Sequence, residues 1–174
     1  TVNNRIVNSV VFALAGEFFK TKHDLASNPA LVDELLATQR PLFTAHGLYR
    51  DPNDPMTYDM VVRQQLDLIR SYGYSGTNLD WLTETSRRGA LTTLLYQSSI
   101  GQAPFGGRSN QFHFVEAHIA CMCESQARFY KAAGDLLMAG IFKRAGHRAI
   151  ALTLPWIMDM EPYRHTKQGF DPSL

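Results

Sequence analysis

The fold class of this chain is decided by one stretch, residues 111–130, whose sequence is QFHFVEAHIACMCESQARFY. Its apolar side chains recur at helical spacing, at Phe112, Val115, Ile119, Met122, Cys123 and Tyr130. Such a stripe predicts a long helix with one face on a core. Five further segments show the same spacing, and no segment alternates convincingly between apolar and polar residues as strands do. We therefore expect an all-α fold.

Six helices are predicted, over about residues 4–20, 28–42, 57–72, 78–98, 111–130 and 135–158. The second begins at Asn28 and Pro29, because a capping side chain followed by proline is typical of a first helical turn. Pro41 should kink or end this helix, and Pro155 should end or bend the sixth, since proline removes a backbone donor.

The third predicted helix has two different faces. Its apolar face carries Tyr58, Val61, Val62, Leu66 and Ile69. Its other face carries charged residues at successive spacings of four, namely Asp59, Arg63 and Asp67. Ion pairs at this spacing are typical of a helix surface, so we expect the charged face to be solvated.

The odd-numbered helices begin about 54 residues apart, the length of one helical hairpin with its loops. Three antiparallel hairpins can form a bundle, a solenoid or an arc of a toroid. Two long polar loops, 47–55 and 100–108, lead into odd-numbered helices and should lie at one end, like the rim of a cleft. Residues 1–174 are thus expected to form a single all-α domain, a partial (α/α) toroid. A closed ring needs about 330 residues, so we expect a fragment of a larger chain, with an open arc or a compact bundle as the alternative.

Composition excludes several classes of function. The chain has 174 residues and a net charge of +1, without the basic footprint on which nucleic-acid binding rests. No apolar run approaches the roughly 20 residues that span a bilayer, so we expect no membrane association. Cys121 and Cys123 diverge by about 200° on a helix and cannot form a disulfide with each other. Phosphate loops, dinucleotide fingerprints and nucleophile elbows are missing from the sequence.

The loop 104–111 and the first turns of the fifth helix carry the candidate site. Glu116 falls within the apolar stripe, where a carboxylate is costly unless it is paired or faces a wet cavity. His113 lies three residues earlier and shares its face. The two can form an acid–base pair or a purely structural pair. A zinc site is a third alternative, which needs further ligands such as His118 or His165.

The hairpin length, the long loops and the run 106–111 followed by His113 and Glu116 resemble the (α/α)-toroid enzymes that degrade polysaccharides. These include polysaccharide lyases of the heparinase and alginate-lyase kind and six-hairpin glycosidases. The resemblance implies that polar residues at one rim grip a polysaccharide or oligosaccharide. We therefore expect a carbohydrate-active enzyme that cleaves an acidic polysaccharide by β-elimination. Secretion or a periplasmic location follows if this interpretation holds.

The candidate residues divide into two roles. Those assigned to catalysis are His113, Glu116 and Tyr58, and those assigned to substrate binding are Arg108, Asn110, Gln111, Tyr49 and Arg50. The planar fork of Arg108 suits a uronate carboxylate. By the resemblance, Asn110 and Gln111 help to neutralise the same carboxylate, although Asn110 or Ser109 can instead cap the helix. Tyr58 also suits core packing. We expect no metal and no cofactor.

Two alternatives remain open at this point. A glycosidase needs two carboxylates about 5 to 9 Å apart, and Glu116 has weak second partners in Asp51, Asp54 and Glu124. Glu124 lies about 12 Å along the helix axis from Glu116, which is too far. A non-enzymatic helical-repeat module that binds a protein through its concave face is the alternative from a different class.

Overall fold

The computed structural model describes residues 8–51, 56–103 and 114–158, and within these ranges the chain is helical. Six α-helices are present there: α1 Ser9–Lys22, α2 Pro29–Gln39, α3 Met56–Ser71, α4 Leu79–Tyr96, α5 Phe114–Ala132 and α6 Leu136–Met158. The described ranges contain no strand, and an isolated antiparallel bridge joins Phe43 to Tyr49. The prediction of an all-α fold is confirmed. None of the described helices combines the length and apolarity that crossing a membrane requires.

The helix boundaries follow the local signals closely, with one difference. α2 begins at Pro29 as predicted and ends at Gln39, after which Arg40–Leu42 form a 3-10 turn around Pro41. The Asn28 side chain makes no capping hydrogen bond. α6 does not end at Pro155 but continues to Met158, since a proline removes a backbone donor without forbidding the helical φ. The predicted starts at residues 4 and 111 lie outside the described residues.

α3 occupies the centre of the helix packing. It contacts α1, α4 and α5, while α1 packs with α2 and α5 packs extensively with α6. Val62, Leu66 and Ile69 of α3 join the core formed with α1 and α2. Met60 of the same helix belongs to a second core, formed mainly by α5 and α6. α3 therefore connects the two hydrophobic clusters, and neighbouring helices cover part of its other faces.

The prediction that the charged face of α3 is solvated is wrong. Asp59, Arg63 and Asp67 are 6%, 5% and 8% exposed, respectively. α4 and α5 cover this face, because the Arg63 side chain contacts Thr93 of α4 and Met122 of α5. The spacing of four does produce an ion pair between Asp59 and Arg63, as predicted, but the pair lies inside the protein.

Candidate functional site

The buried ion pair on α3 is the best connected polar group in the described part of the chain. Arg63 donates from Nε to Asp59 Oδ1 at 2.9 Å and from Nη2 to Asp59 Oδ2 at 2.7 Å. Asp59 Oδ1 also accepts the backbone N–H of Tyr49 at 2.6 Å. Charge-assisted bonds of this length are strong, so Asp59 holds both its own helix and the loop before it.

The other N–H of Arg63 Nη2 is shared between two acceptors on α4, with Thr93 Oγ1 at 2.9 Å and the Tyr96 hydroxyl at 3.2 Å. Nη1 lies 3.4 Å from Met122 Sδ on α5. Burial acts to lower the pKa of Arg63, but Asp59 and Tyr96 together raise it above its ordinary value, and the guanidinium stays charged. Burial raises the pKa of Tyr96, so its hydroxyl stays protonated despite the nearby cation. This network is suited to holding helices together rather than to proton transfer.

The loop 43–51 is fixed on α4 by close backbone contact. Gly47 has φ +75°, and a Cβ at this position would lie 2.3 Å from the backbone nitrogen of Gly89. The carbonyl of His46 accepts a hydrogen bond from Thr92 Oγ1 at 2.9 Å. Because both glycines lack side chains, the loop and the helix meet backbone to backbone. Residues 47–51 belong to the loop 47–55 that was predicted to form a rim, and Gly47 fixes this part of it against α4.

The three candidate residues around this loop have different environments. Tyr49 is 4% exposed, and its hydroxyl donates to Gln39 Oε1 at 3.3 Å. Burial raises its pKa to about 12. Its ring packs edge-on against Phe43, so stacking of Tyr49 on a sugar does not fit the structure. Arg50, one residue later, is exposed, and Tyr58 is half-buried in the first turn of α3.

Glu116 faces the core, as its place in the apolar stripe predicts. It is 4% exposed, and its Oε1 accepts the backbone N–H of Ala103 at 3.1 Å. Burial raises the pKa of Glu116, and the hydrogen bond from Ala103 opposes this rise. A proton is therefore held more tightly at this carboxyl group than at a solvated one.

The contact between Ala103 and Glu116 also closes a loop. Ala103 immediately precedes the segment 104–113, and Glu116 lies three residues after it. The hydrogen bond joins Ala103 to Glu116, which are described residues on either side of this segment. Four candidate residues lie within the segment and outside the described residues, namely Arg108, Asn110, Gln111 and His113. Pairing of His113 with Glu116 stays a prediction.

Two other titratable groups on α5, His118 and Glu124, have pKa values that their surroundings shift. Burial lowers the pKa of His118 to about 4, so its imidazole is neutral at pH 7. The hydrogen bond from Lys143 has the largest effect on Glu124 and lowers its pKa. Arg128 lowers this pKa by a smaller amount, and Glu124 is consequently ionised. Among the residues that the structure describes, no group of three or more His, Cys, Asp or Glu side chains could hold a metal ion.

Sequence reasoning missed the burial of Arg63 and the docking of loop 43–51. A usable signal was present on α4, where Gly89, Ala90 and Thr93 place small side chains along one face. A helix face of small residues allows close approach of a neighbour, and the long arginine fills the space beside it. The spacing on α3 alone could not reveal this neighbour.

No protein-family model, curated protein or solved structure matches this chain significantly.

Proposed function

We propose that the chain forms part of an (α/α)-toroid enzyme that degrades an acidic polysaccharide by β-elimination. The order of helix contacts supports this architecture. α3 contacts both α1 and α5, and each of these odd-numbered helices packs against the even-numbered helix that follows it. A toroid requires this order, with odd-numbered helices adjacent to one another and even-numbered helices behind them.

The observation that carries the proposal is the hydrogen bond between Ala103 and Glu116. It joins the described residues on either side of the segment that bears Arg108, Asn110, Gln111 and His113. A closed loop costs less conformational entropy to order on a ligand than an open one of the same length. Four polar side chains suited to a uronate thus lie, in the sequence, between two residues that this hydrogen bond joins.

The proposed reaction begins with recognition of the uronate carboxylate. Arg108 binds this group through its planar fork, and Asn110 and Gln111 donate further hydrogen bonds. Neutralising the carboxylate makes the proton on the adjacent carbon more acidic, because the enolate-like charge that develops is stabilised.

The elimination then needs a base and a proton donor. His113 or Tyr58 accepts the proton from the carbon next to the carboxylate. The electron pair of that C–H bond forms the new double bond, and the bond from the neighbouring carbon to the glycosidic oxygen breaks. The departing glycosidic oxygen takes a proton from the acidic member of the His113–Glu116 pair or from water. The products are an unsaturated uronate and a shortened chain.

The experiment uses the longest natural polypeptide that contains this chain, incubated with polygalacturonate, alginate and heparin in separate reactions. A lyase produces an unsaturated uronate, seen as rising ultraviolet absorbance. Arg108→Ala should lower kcat/KM at least about 100-fold, since a charge-assisted contact is lost. Release of reducing ends without this absorbance indicates the glycosidase alternative. Neither product from any substrate would overturn the enzymatic proposal.

The glycosidase alternative finds less support among the described carboxylates. Glu116 and Asp51 are both buried at 4% exposure, and each accepts a backbone N–H. Glu124 binds two cations and lies two turns beyond Glu116. A pair formed by a protonated acid and a solvated base is therefore not evident among these three residues.

A further inference from the structure

The outer face of α6 is the side turned away from α5, and its exposed residues are 143, 144, 147, 148, 150, 151, 154 and 155. The opposite side is buried in the core formed with α5, through Phe142, Ala145 and Ala149. The first half of the outer face is basic and consists of Lys143, Arg144, His147 and Arg148. Residues 136–158, which form the whole of α6, contain no Asp or Glu. No acidic residue of the same helix therefore offsets these cations.

Ion pairing leaves most of this positive charge uncompensated. Glu124 of α5 binds Lys143 and, at 3.4 Å, the largely exposed Arg128. Among the described residues, none forms an ion pair or a hydrogen bond with the side chain of Arg144 or Arg148. Four cations and one carboxylate give this region a charge of +3, in a chain whose net charge is +1. A charge concentrated in this way on one surface favours an anionic partner.

Aliphatic side chains continue the outer face toward the end of α6. Ile150 and Leu154 are 40% and 47% exposed. They follow Lys143 and His147 at helical spacings of three and four, so the four residues form one row on the helix. Ile100 is 63% exposed beside this helix, because the next residue, Gly101, touches the backbone of α6. One surface thus offers cations at one end and aliphatic side chains at the other.

This combination indicates which anionic partner fits. Nucleic acids attract cations through their phosphates, and single strands also stack their bases on aromatic rings. The outer face exposes no aromatic side chain between residues 143 and 155. An acidic polysaccharide would bind the same cations, but it gives no reason for the exposed aliphatic side chains. An anionic lipid bilayer supplies both contacts, since its phosphates attract cations and its acyl region takes up aliphatic side chains.

We propose that the outer face of α6 docks on an anionic membrane surface, with Arg144 and Arg148 at the lipid phosphates and Ile150 and Leu154 at the edge of the acyl region. The expectation of no membrane association rested on the lack of a spanning segment, which peripheral binding does not need. The proposal does not depend on the polysaccharide chemistry. In a toroid of the proposed kind, an even-numbered helix such as α6 faces outward, which would keep this face accessible.

The experiment sediments the longest natural polypeptide that contains this chain with sucrose-loaded vesicles at about 0.1 M salt. One set of vesicles is phosphatidylcholine alone, and the other contains about one third phosphatidylglycerol. Each Lys or Arg close to an anionic surface strengthens binding about fivefold, so binding to the anionic vesicles should be at least about tenfold tighter. Raising the salt to about 1 M should release most of the protein, because the attraction is screened.

Two double variants test the basic half of the face. Arg144→Glu with Arg148→Glu should weaken binding to the anionic vesicles at least about tenfold. Lys22→Glu with Lys131→Glu makes the same change of charge at exposed positions on α1 and α5, and it should weaken binding less than about threefold. Far-ultraviolet circular dichroism and melting temperature confirm that each variant is folded.

Two single variants test the aliphatic half. Leu154→Ser should weaken binding to the anionic vesicles about threefold or more, since its contact with the acyl region is lost. Leu137→Ser is the matched control, because Leu137 is 72% exposed at the start of the same helix, away from the cations. This control should leave the binding unchanged.

The proposal is overturned by equal binding to both kinds of vesicle, or by undiminished binding of the Arg144→Glu, Arg148→Glu variant. A third outcome also contradicts it, namely tighter binding to heparin or to duplex DNA than to the vesicles, lost in the double variant and unchanged in Leu154→Ser. That outcome would assign the outer face to a soluble polyanion instead of a membrane.

Discussion

A guanidinium that is removed from water needs compensation of its charge and of all its donors. Arg63 obtains the charge from Asp59 and further acceptors from Thr93 and Tyr96 of α4. Its methylene groups meanwhile pack beside Gly89, where a Cβ would lie 3.0 Å from Arg63 Cδ. A residue that looks like a surface cation in the sequence therefore joins α3 to α4.

Loss of Arg63 should destabilise the fold strongly. Arg63→Ala leaves Asp59 buried without its cation, and such changes cost about 3 to 5 kcal/mol. The double variant Asp59→Asn with Arg63→Met removes both charges and should be less destabilised than Arg63→Ala alone. Urea denaturation of the wild type and both variants measures the difference. Equal stability of Arg63→Ala and wild type would contradict the role of this pair.

Two substitutions of Glu116 distinguish a catalytic role of this residue from a structural one. Glu116→Gln keeps an oxygen that can accept the N–H of Ala103, whereas Glu116→Ala loses it at a cost of about 1 to 3 kcal/mol. If Glu116 holds the segment 104–113, Glu116→Gln keeps most activity and Glu116→Ala does not. If Glu116 transfers a proton, Glu116→Gln should lose at least about 100-fold in kcat. Steady-state kinetics of the two variants with uronate substrate distinguish these cases.

The pH dependence of Glu116 has a definite sign. Because its folded pKa is raised, the fold favours the neutral acid, so the ionised carboxylate at higher pH is a destabilising group. Glu116→Gln should therefore gain stability relative to wild type as pH rises above the unfolded pKa near 4.3. The difference should vanish at lower pH, where both side chains are neutral. Chemical denaturation at several pH values tests this.

The sequence allowed the burial of Glu116 to be predicted, but not that of Arg63, and the reason is physical. Glu116 interrupts an apolar stripe on its own helix, which is a local signal. Arg63 is buried by α4 and α5, which are distant in sequence, and its spacing from Asp59 equally suits a surface pair. Tyr49 shows the same limitation, since a tyrosine in a polar loop gives no sign that Asp59 will hold its backbone inside.

At the scale of elements, the loop 43–51 and α4 form a close backbone contact. Gly47 is left-handed and faces Gly89, so neither position has room for a side chain. Tight contact of this kind orders the loop through its backbone rather than through its side chains.

Gly47→Ala should destabilise the protein by several kcal/mol. The substitution adds strain at positive φ and a Cβ that would lie 2.5 Å from the carbonyl oxygen of Thr85. Gly16→Ala is the matched control, because Gly16 is exposed on α1 and a Cβ there meets nothing within 4 Å. That control should gain up to about 1 kcal/mol from helix propensity. Thermal unfolding of both variants measures the contrast, and equal melting temperatures would contradict it.

Helix positions were predictable because their signals are local. From the apolar spacing and the proline, α2 was expected to begin at residue 28, and it begins at Pro29. α3 was expected to begin at residue 57, and it begins at Met56. The orientation of helix faces was less predictable, as Leu95 shows. It is a large apolar side chain within the helix predicted over residues 78–98, yet it is 88% exposed. Which side of a helix is covered depends on neighbours that periodicity does not identify.

At the scale of the whole molecule, His118 should make stability depend on acidity. Its pKa of about 4 in the fold lies below the value of about 6.5 in the unfolded chain. Between these pH values the imidazole is protonated in the unfolded chain and neutral in the fold. The free energy of unfolding is therefore unaffected by His118 above about pH 6.5 and decreases as pH falls toward 4. The loss is at most about 3 kcal/mol.

The measurement compares wild type with His118→Gln across this range. Subtracting the two curves removes the contribution of the other titrating groups, including the opposite dependence of Glu116. The wild type should lose more stability than the variant between pH 6.5 and pH 4. Parallel curves would show that the imidazole is not kept neutral by the fold.

The two cysteines differ in reactivity in the folded protein, and the number of alkylated thiols measures this difference. Cys121 is exposed and Cys123 is buried, and burial raises the pKa of the Cys123 thiol to about 12. Because thiolates are the reactive species, an alkylating reagent should modify one sulfur quickly in the native state. The second sulfur reacts when the helix opens, so its rate of alkylation reports how often the interior is exposed, without any introduced label.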